Sequence, residues 1–128
     1  MSSTVELTKE NFDQTVKEND FVLIDFWASW CGPCRQFAPV YERAAEDNPD
    51  LVFGKVDTEA QPELAAAFEI RSIPTLMIVR DQVAVFAQPG ALPEAALKDV
   101  IGQARNLDMA EVRKAVEAEQ AKAQQNGQ

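Results

Sequence analysis

Apolar positions change their period several times along the chain, and each change marks an element. Leu7, Phe12 and Val16 are spaced for one side of a helix, with Thr8 placed as its N-cap. The Leu7–Phe12 pair has the spacing of a hydrophobic staple around that cap. Phe21 to Phe26 is almost unbroken apolar sequence, as expected of a strand covered on both faces. From about Cys31 the period is helical again, and Phe37, Val40, Tyr41, Ala44 and Ala45 share one face. Pro39 falls inside this helix, where it removes a donor and crowds the preceding turn, so a kink is expected. Asn48-Pro49-Asp50 stops the helix.

Leu51 to Val56 predicts the next strand, and Pro62 the first turn of a short helix ending near Phe68. Pro74 precedes Thr75–Val79, a strong strand. Asp81-Gln82 is a weak turn signal, lacking glycine, before a hairpin partner at Val83–Phe86. Pro93 opens a helix that turns Ala96, Leu97, Val100 and Ile101 inward. This alternation is the pattern of an α/β domain, and it closes near residue 104. One domain is therefore expected at 1–104, with 105–128 as an extension. There Asp108 is placed to cap a helix, and Leu107, Val112 and Val116 form a short apolar stripe. With nothing large and apolar beyond Val116, a partly docked helix fraying into a disordered Gln125–Gln128 end is expected.

Composition narrows the function. With 46% hydrophobic residues in 128, the chain can cover one core. Its net charge is −9, and residues 103–128 carry four charges of each sign, so the acidity lies wholly in the domain. No basic patch is present to neutralise phosphates, so neither nucleic acid nor an anionic membrane is an expected partner. Residues 1–10 lack the basic and apolar regions of a secretory signal. The longest apolar runs, Phe21–Ile24 and Ile73–Val79, are too short to span a bilayer. A cytoplasmic location is expected, and there two cysteines three residues apart read as redox-active or metal-binding.

Those cysteines, Cys31 and Cys34, flank Gly32-Pro33 where a strand gives way to a helix. At that spacing they share a helix face and lie within disulfide reach. At the helix start, unpaired N–H groups and the dipole favour a thiolate on Cys31, which makes it the expected nucleophile. Cys34 lies one turn inside, as suits a resolving thiol. Gly32 and Pro33 let a partner backbone approach and add no competing charge. A zinc site would need about four ligands, and the chain has two cysteines and no histidine, so no metal is expected. A structural disulfide over so short a loop would constrain the unfolded chain little.

Asp25-Phe26-Trp27-Ala28-Ser29-Trp30-Cys31-Gly32-Pro33-Cys34 resembles the active-site stretch of thioredoxins. Ile73-Pro74-Thr75 and Gly90-Ala91 resemble the family's second and third landmarks, in the same order, and the likeness spans about residues 4–104. It implies the thioredoxin fold: a three-layer α/β/α sandwich with a central mixed five-stranded sheet flanked by four helices, here with the C-terminal helical extension added. It also implies a protein-disulfide reductase, an electron carrier working by dithiol–disulfide exchange. Such a carrier binds no cofactor of its own and is recycled by an NADPH-dependent flavoenzyme, thioredoxin reductase. Its partners would be that enzyme and disulfide-containing client proteins, and a monomer is expected.

The same resemblance assigns further residues. Asp25 matches a buried proton acceptor for Cys34, acting through water. On its residues alone, an aspartate in a buried strand points either to an edge or to a partner. Lys55 matches a lysine near that carboxylate, tuning the pair along with Gly32 and Pro33, although a solvated strand-end lysine reads equally well. A trans Ile73–Pro74 bond is the default, whereas the resemblance implies cis. Trp30, Ile73, Pro74, Gly90 and Ala91 would bind substrate, with Trp30, Ile73 and Ala91 as an apolar floor around the sulfurs. Trp27 reads as a core aromatic. Pro89, Thr58 and Arg35 depart from common family choices. Two rivals remain: an oxidase or isomerase, whose relatives usually carry histidine in place of Pro33, and a binding module that does not use its thiols.

Overall fold

The structure, a computed structural model, describes residues 3–125. Among these, the elements are β1 (Val5–Glu6), α1 (Phe12–Glu18), β2 (Phe21–Trp27), α2 (Gly32–Asp47) and β3 (Val52–Asp57). Then follow α3 (Pro62–Ala67), β4 (Thr75–Arg80), β5 (Val83–Pro89), α4 (Glu94–Arg105) and α5 (Met109–Gln125). The strands form one sheet in the order β1-β3-β2-β4-β5. β3 runs parallel to β1 and β2, whereas β4 is antiparallel to both β2 and β5.

The two faces of β2 build two separate cores. Leu23, Leu76 and Ile78 meet Phe37 and Tyr41 of α2 and Leu97 and Ile101 of α4. Val22, Ile24, Phe26 and Met77 meet Phe12 and Val16 of α1 and Leu64 and Phe68 beside α3. Coverage on both sides explains the unbroken apolar run of β2. Tyr41 buries its ring and donates its hydroxyl to the Gly54 carbonyl at 2.7 Å. Gly54 itself is required by close approach, because a Cβ there would run into the Leu7 side chain.

Several local expectations change. Thr8 is not the cap of α1: Asn11 occupies that position, and its side chain turns back to accept the Thr8 N–H at 2.7 Å. The helix therefore starts later than the Thr8 cap would place it, while Leu7 and Phe12 still share one core. β1 is only two exposed residues, too short for any period to announce it. α2 runs through Pro39, which faces solvent. Asp108 does start α5, its Oδ1 accepting the N–H groups of Ala110 at 3.0 Å and Glu111 at 3.3 Å. α5 buries Met109 and is tied to the β4–β5 turn by an Arg113–Asp81 ion pair of 3.2 Å. The end expected to fray is helical at Gln125, and Asn126–Gln128 lie outside the described residues.

Asp81 and Gln82 both adopt left-handed backbone, with φ of 51° and 67°. Two such residues in a two-residue loop make the turn whose twist matches a hairpin, and glycine is its natural second residue. Left-handed backbone costs an L-residue roughly 1–2 kcal/mol, part of which glycine returns as unfolded-chain entropy. Gln82→Gly should therefore stabilise the protein by about 0.5–1 kcal/mol and raise its melting temperature by roughly 2–4 °C. A thermal scan showing no rise would remove strain from this turn.

Candidate active site

β2 ends at Trp27, and the chain crosses Ala28–Trp30 before α2 begins, which leaves Cys31 as the helix N-cap. Its backbone is extended (φ −86°, ψ 115°), so its side chain sits over the first turn. There the Cys34 N–H donates to Cys31 Sγ at 3.2 Å. This is the N-cap geometry in which a sulfur replaces the usual oxygen. It aims one of the helix's unpaired donors and its positive end at the Cys31 sulfur. The two cysteines are joined as a disulfide with their Cα atoms 5.2 Å apart, and both are almost wholly buried. Gly32 has open space around it, and Pro33 is exposed.

Around the sulfurs lies a small apolar cluster of Ala28, Cys31 and Cys34, with Trp27 and Ile73 packed against it. Of the expected floor, Ile73 packs against this cluster, whereas Trp30 is 66% exposed and Ala91 is exposed as well. Trp27 is a further apolar neighbour of the sulfurs. Its position at the end of β2, where the face covered by helices gives out, is what sequence alone could have used.

The Ile73–Pro74 bond is cis, as the resemblance implied against the default. The Ile73 carbonyl lies 3.7 Å from Cys31 Sγ. The turn is held from β5 by the Gly90 N–H, which donates to the Pro74 carbonyl at 2.8 Å. Gly90 has a φ of 106°, which only glycine adopts without strain. Pro89 stands opposite Thr75 at the end of the edge strand, where the donor it lacks is least missed. Thr58 does not offer its side chain to a groove; its hydroxyl and its N–H both donate to the Trp27 carbonyl, at 3.0 and 2.9 Å. It fixes the end of β2 just before the cysteines.

Asp25 is 1% exposed, on the α2/α4 face of β2, and its Oδ1 has no hydrogen-bond partner among the described residues. Burial raises its pKa to about 7, and the nearby Lys55 charge pulls in the opposite direction. The two residues are register partners on adjacent strands. No ion pair joins them among the described residues: the Lys55 ammonium lies 4.9 Å from the Trp27 ring centroid instead. Lys55 and Trp27 line a cleft of about 320 Å³ together with Thr4, Glu6 and Asp57. Among the described residues no group of three or more His, Cys, Asp or Glu is placed to hold a metal ion, and no helix is long and apolar enough to cross a membrane.

A sequence profile of the thioredoxin family matches residues 3–103. The chain belongs to the thioredoxin family. It is 84% identical over 123 residues to "Putative thioredoxin 2" of Streptomyces coelicolor, covering 96% of this chain and 92% of that one. It is 44% identical over 103 residues to "Thioredoxin 1" of Synechococcus elongatus, covering 79% and 96%. Among solved structures, a mutant thioredoxin from Halobacterium salinarum superposes with a TM-score of 0.76 at 35% identity, covering 84% of this chain and 96% of that one. Plasmodium falciparum thioredoxin gives 0.73 at 34% identity, covering 78% and 98%. The match to the Streptomyces protein is too long to stop before α5, whereas the family profile ends inside α4. Membership gives the cysteine pair its chemistry. The protein is a thiol–disulfide oxidoreductase acting on protein disulfides.

Proposed function

We propose that Cys31 is the attacking thiol and Cys34 the resolving one, in a cycle that runs toward reduction of client disulfides. The observation that carries the assignment is the Cys34 N–H aimed at Cys31 Sγ. A donor and a helix N-terminus both stabilise negative charge on that one sulfur, an effect for which thioredoxins are the type case. The Cys31 thiolate attacks one client sulfur, the client S–S bond breaks, and the other client sulfur leaves as a thiolate that takes a proton from solvent. Asp25 then removes the Cys34 proton through an intervening water. Cys34 attacks Cys31, the bond to the client breaks, and the second client sulfur leaves as a thiolate that takes up the proton Asp25 had removed from Cys34. The client gains two electrons from the cysteine pair and one proton on each sulfur, and the Cys31–Cys34 disulfide remains.

Gly32 and Pro33 keep the rim of the pair open, and Lys55 tunes Asp25 by its charge. Trp30, Ile73, Pro74, Gly90 and Ala91 are the client surface. Exposure of Trp30 and Ala91 suits contact with a partner. The Ile73 backbone, beside the sulfur, suits strand addition by an extended client segment. Both cysteines, Asp25 and this turn come from one chain, so a monomer suffices. Recycling falls to thioredoxin reductase with NADPH, and the chain need hold no cofactor. A reductant supplied in this way belongs in the reducing compartment, the cytoplasm.

The test is NADPH consumption with insulin as the disulfide and a thioredoxin reductase present. Sustained oxidation of NADPH that needs all three proteins is expected. Residues 105–128 lie outside the cysteine site, so a chain ending at residue 104 should keep most of this rate. No turnover with the intact chain would refute the reductive cycle, and a large loss in a folded truncated chain would give the extension a part in it.

A further inference from the structure

Thr75 is a hydroxyl at the head of a strand whose next four residues, Leu76 to Val79, are apolar and buried. It is itself only 7% exposed, and a buried hydroxyl is costly without a partner. Its Oγ1 donates to the Ser72 carbonyl at 2.6 Å. That bond spans Ile73 and Pro74, the two residues of the cis peptide. Proline has no N–H, so the turn cannot be tied at Pro74 by a backbone donor of its own. The Thr75 hydroxyl and the Gly90 N–H thus hold it from either side. Thr75 is anchored in turn, paired in register with Phe26 of β2 and Pro89 of β5. Its hydroxyl therefore transmits the rigidity of the sheet to the segment that lies against Cys31.

We propose that Thr75 is a positioning residue for protein clients, its hydroxyl holding the Ser72–Pro74 turn so that the Ile73 backbone stands ready for an extended client segment beside Cys31. The inference rests on the client-docking role given above to Ile73 and Pro74. A preorganised turn removes an ordering cost from association, whereas a small disulfide with no strand to pair gains nothing from it.

The test is single-turnover oxidation of the reduced protein, followed at increasing concentrations of insulin and separately with a small aromatic disulfide. Thr75→Val keeps the shape of the side chain and removes its hydroxyl. The half-saturating insulin concentration should rise roughly three- to tenfold, the scale of one net hydrogen bond, with the limiting rate unchanged within about twofold. The rate with the small disulfide should stay unchanged, and Thr75→Ser should restore insulin saturation. Thr75→Ala, which introduces no new contact, carries the same test if the valine form does not fold. Unaltered insulin saturation, an equal loss with the small disulfide, or failure of the serine form to rescue would each overturn the proposal. Hydrogen exchange at the Ile73 amide, measured in a mixed disulfide between Cys34→Ser and an insulin chain, separates the two readings. If that amide is unprotected, the docking role fails and the proposal fails with it. If it is protected while Thr75→Val saturates normally, the role of Thr75 alone fails.

Discussion

Cys34→Ser should accumulate mixed disulfides with client proteins, whereas Cys31→Ser should accumulate none, although both should reduce protein disulfides no faster than the uncatalysed background. The asymmetry comes from one turn of helix. Cys31 is the N-cap, and its sulfur receives the Cys34 N–H at 3.2 Å. Cys34 lies inside the helix, so its sulfur does not receive that bond. Both exchange steps require a thiolate, so the sulfur whose negative charge the Cys34 N–H and the helix start favour makes the first attack. Once the client is bound through Cys31, release requires the second sulfur. A serine hydroxyl at 34 cannot supply it, and the covalent complex persists. The measurement is non-reducing electrophoresis and mass spectrometry of each variant after exposure to a client mixture. Trapping by both variants, or by Cys31→Ser alone, would reverse or dissolve the assignment.

How much of this site the sequence showed depends on the range of the interactions involved. The apolar run of β2 and the helical face of α2 are local, and they lie where their periods place them. The cysteine pair follows from the helix start, also local. Asp25 could be seen as anomalous but not placed, since its burial depends on α2 and α4 closing over β2 from residues far along the chain. The cis geometry at Ile73–Pro74 had to come from resemblance, because the local preference is for trans. Lys55 shows the opposite limit: its nearness to Asp25 was implied, and the two are register partners, yet its charge settles over the Trp27 ring, a contact between strands that no pattern announces. Thr8 and Asn11 are both good caps at a plausible distance, and local chemistry could not choose between them. Thr75 carried a readable signal, a hydroxyl leading a buried apolar strand, of the same kind as the carboxylate in β2. Polar residues within otherwise apolar strands mark this site twice.

Asp25→Asn should make the oxidised protein more stable at pH 8 and a slower reductase at neutral pH. In the folded protein burial raises the Asp25 pKa to about 7, whereas in the unfolded chain it titrates near 3.8. Between those values the folded state keeps a proton that the unfolded state has released. Its stabilising contribution is therefore full below about pH 4, is lost as pH rises toward about 7, and stays lost above that. Asparagine does not titrate, so the variant's advantage should grow across the same window. At about 1.4 kcal/mol per pH unit, across the interval from 3.8 to about 7, it reaches about 4 kcal/mol at pH 8, or about 15 °C in melting temperature. Urea unfolding at pH 5 and pH 8 reads this directly, and an equal difference at both would show that Asp25 is not buried as a titrating acid. The kinetic half has the opposite sign. With the carboxylate as acceptor for the Cys34 proton, release of the mixed disulfide in the natural protein should speed up as pH rises through about 7, and the variant should lack that inflection. Client binding, made through the exposed rim, should stay the same. A variant both more stable and slower would show that the buried carboxylate is kept for turnover at the expense of stability. Gain without slowing would leave Asp25 outside the mechanism.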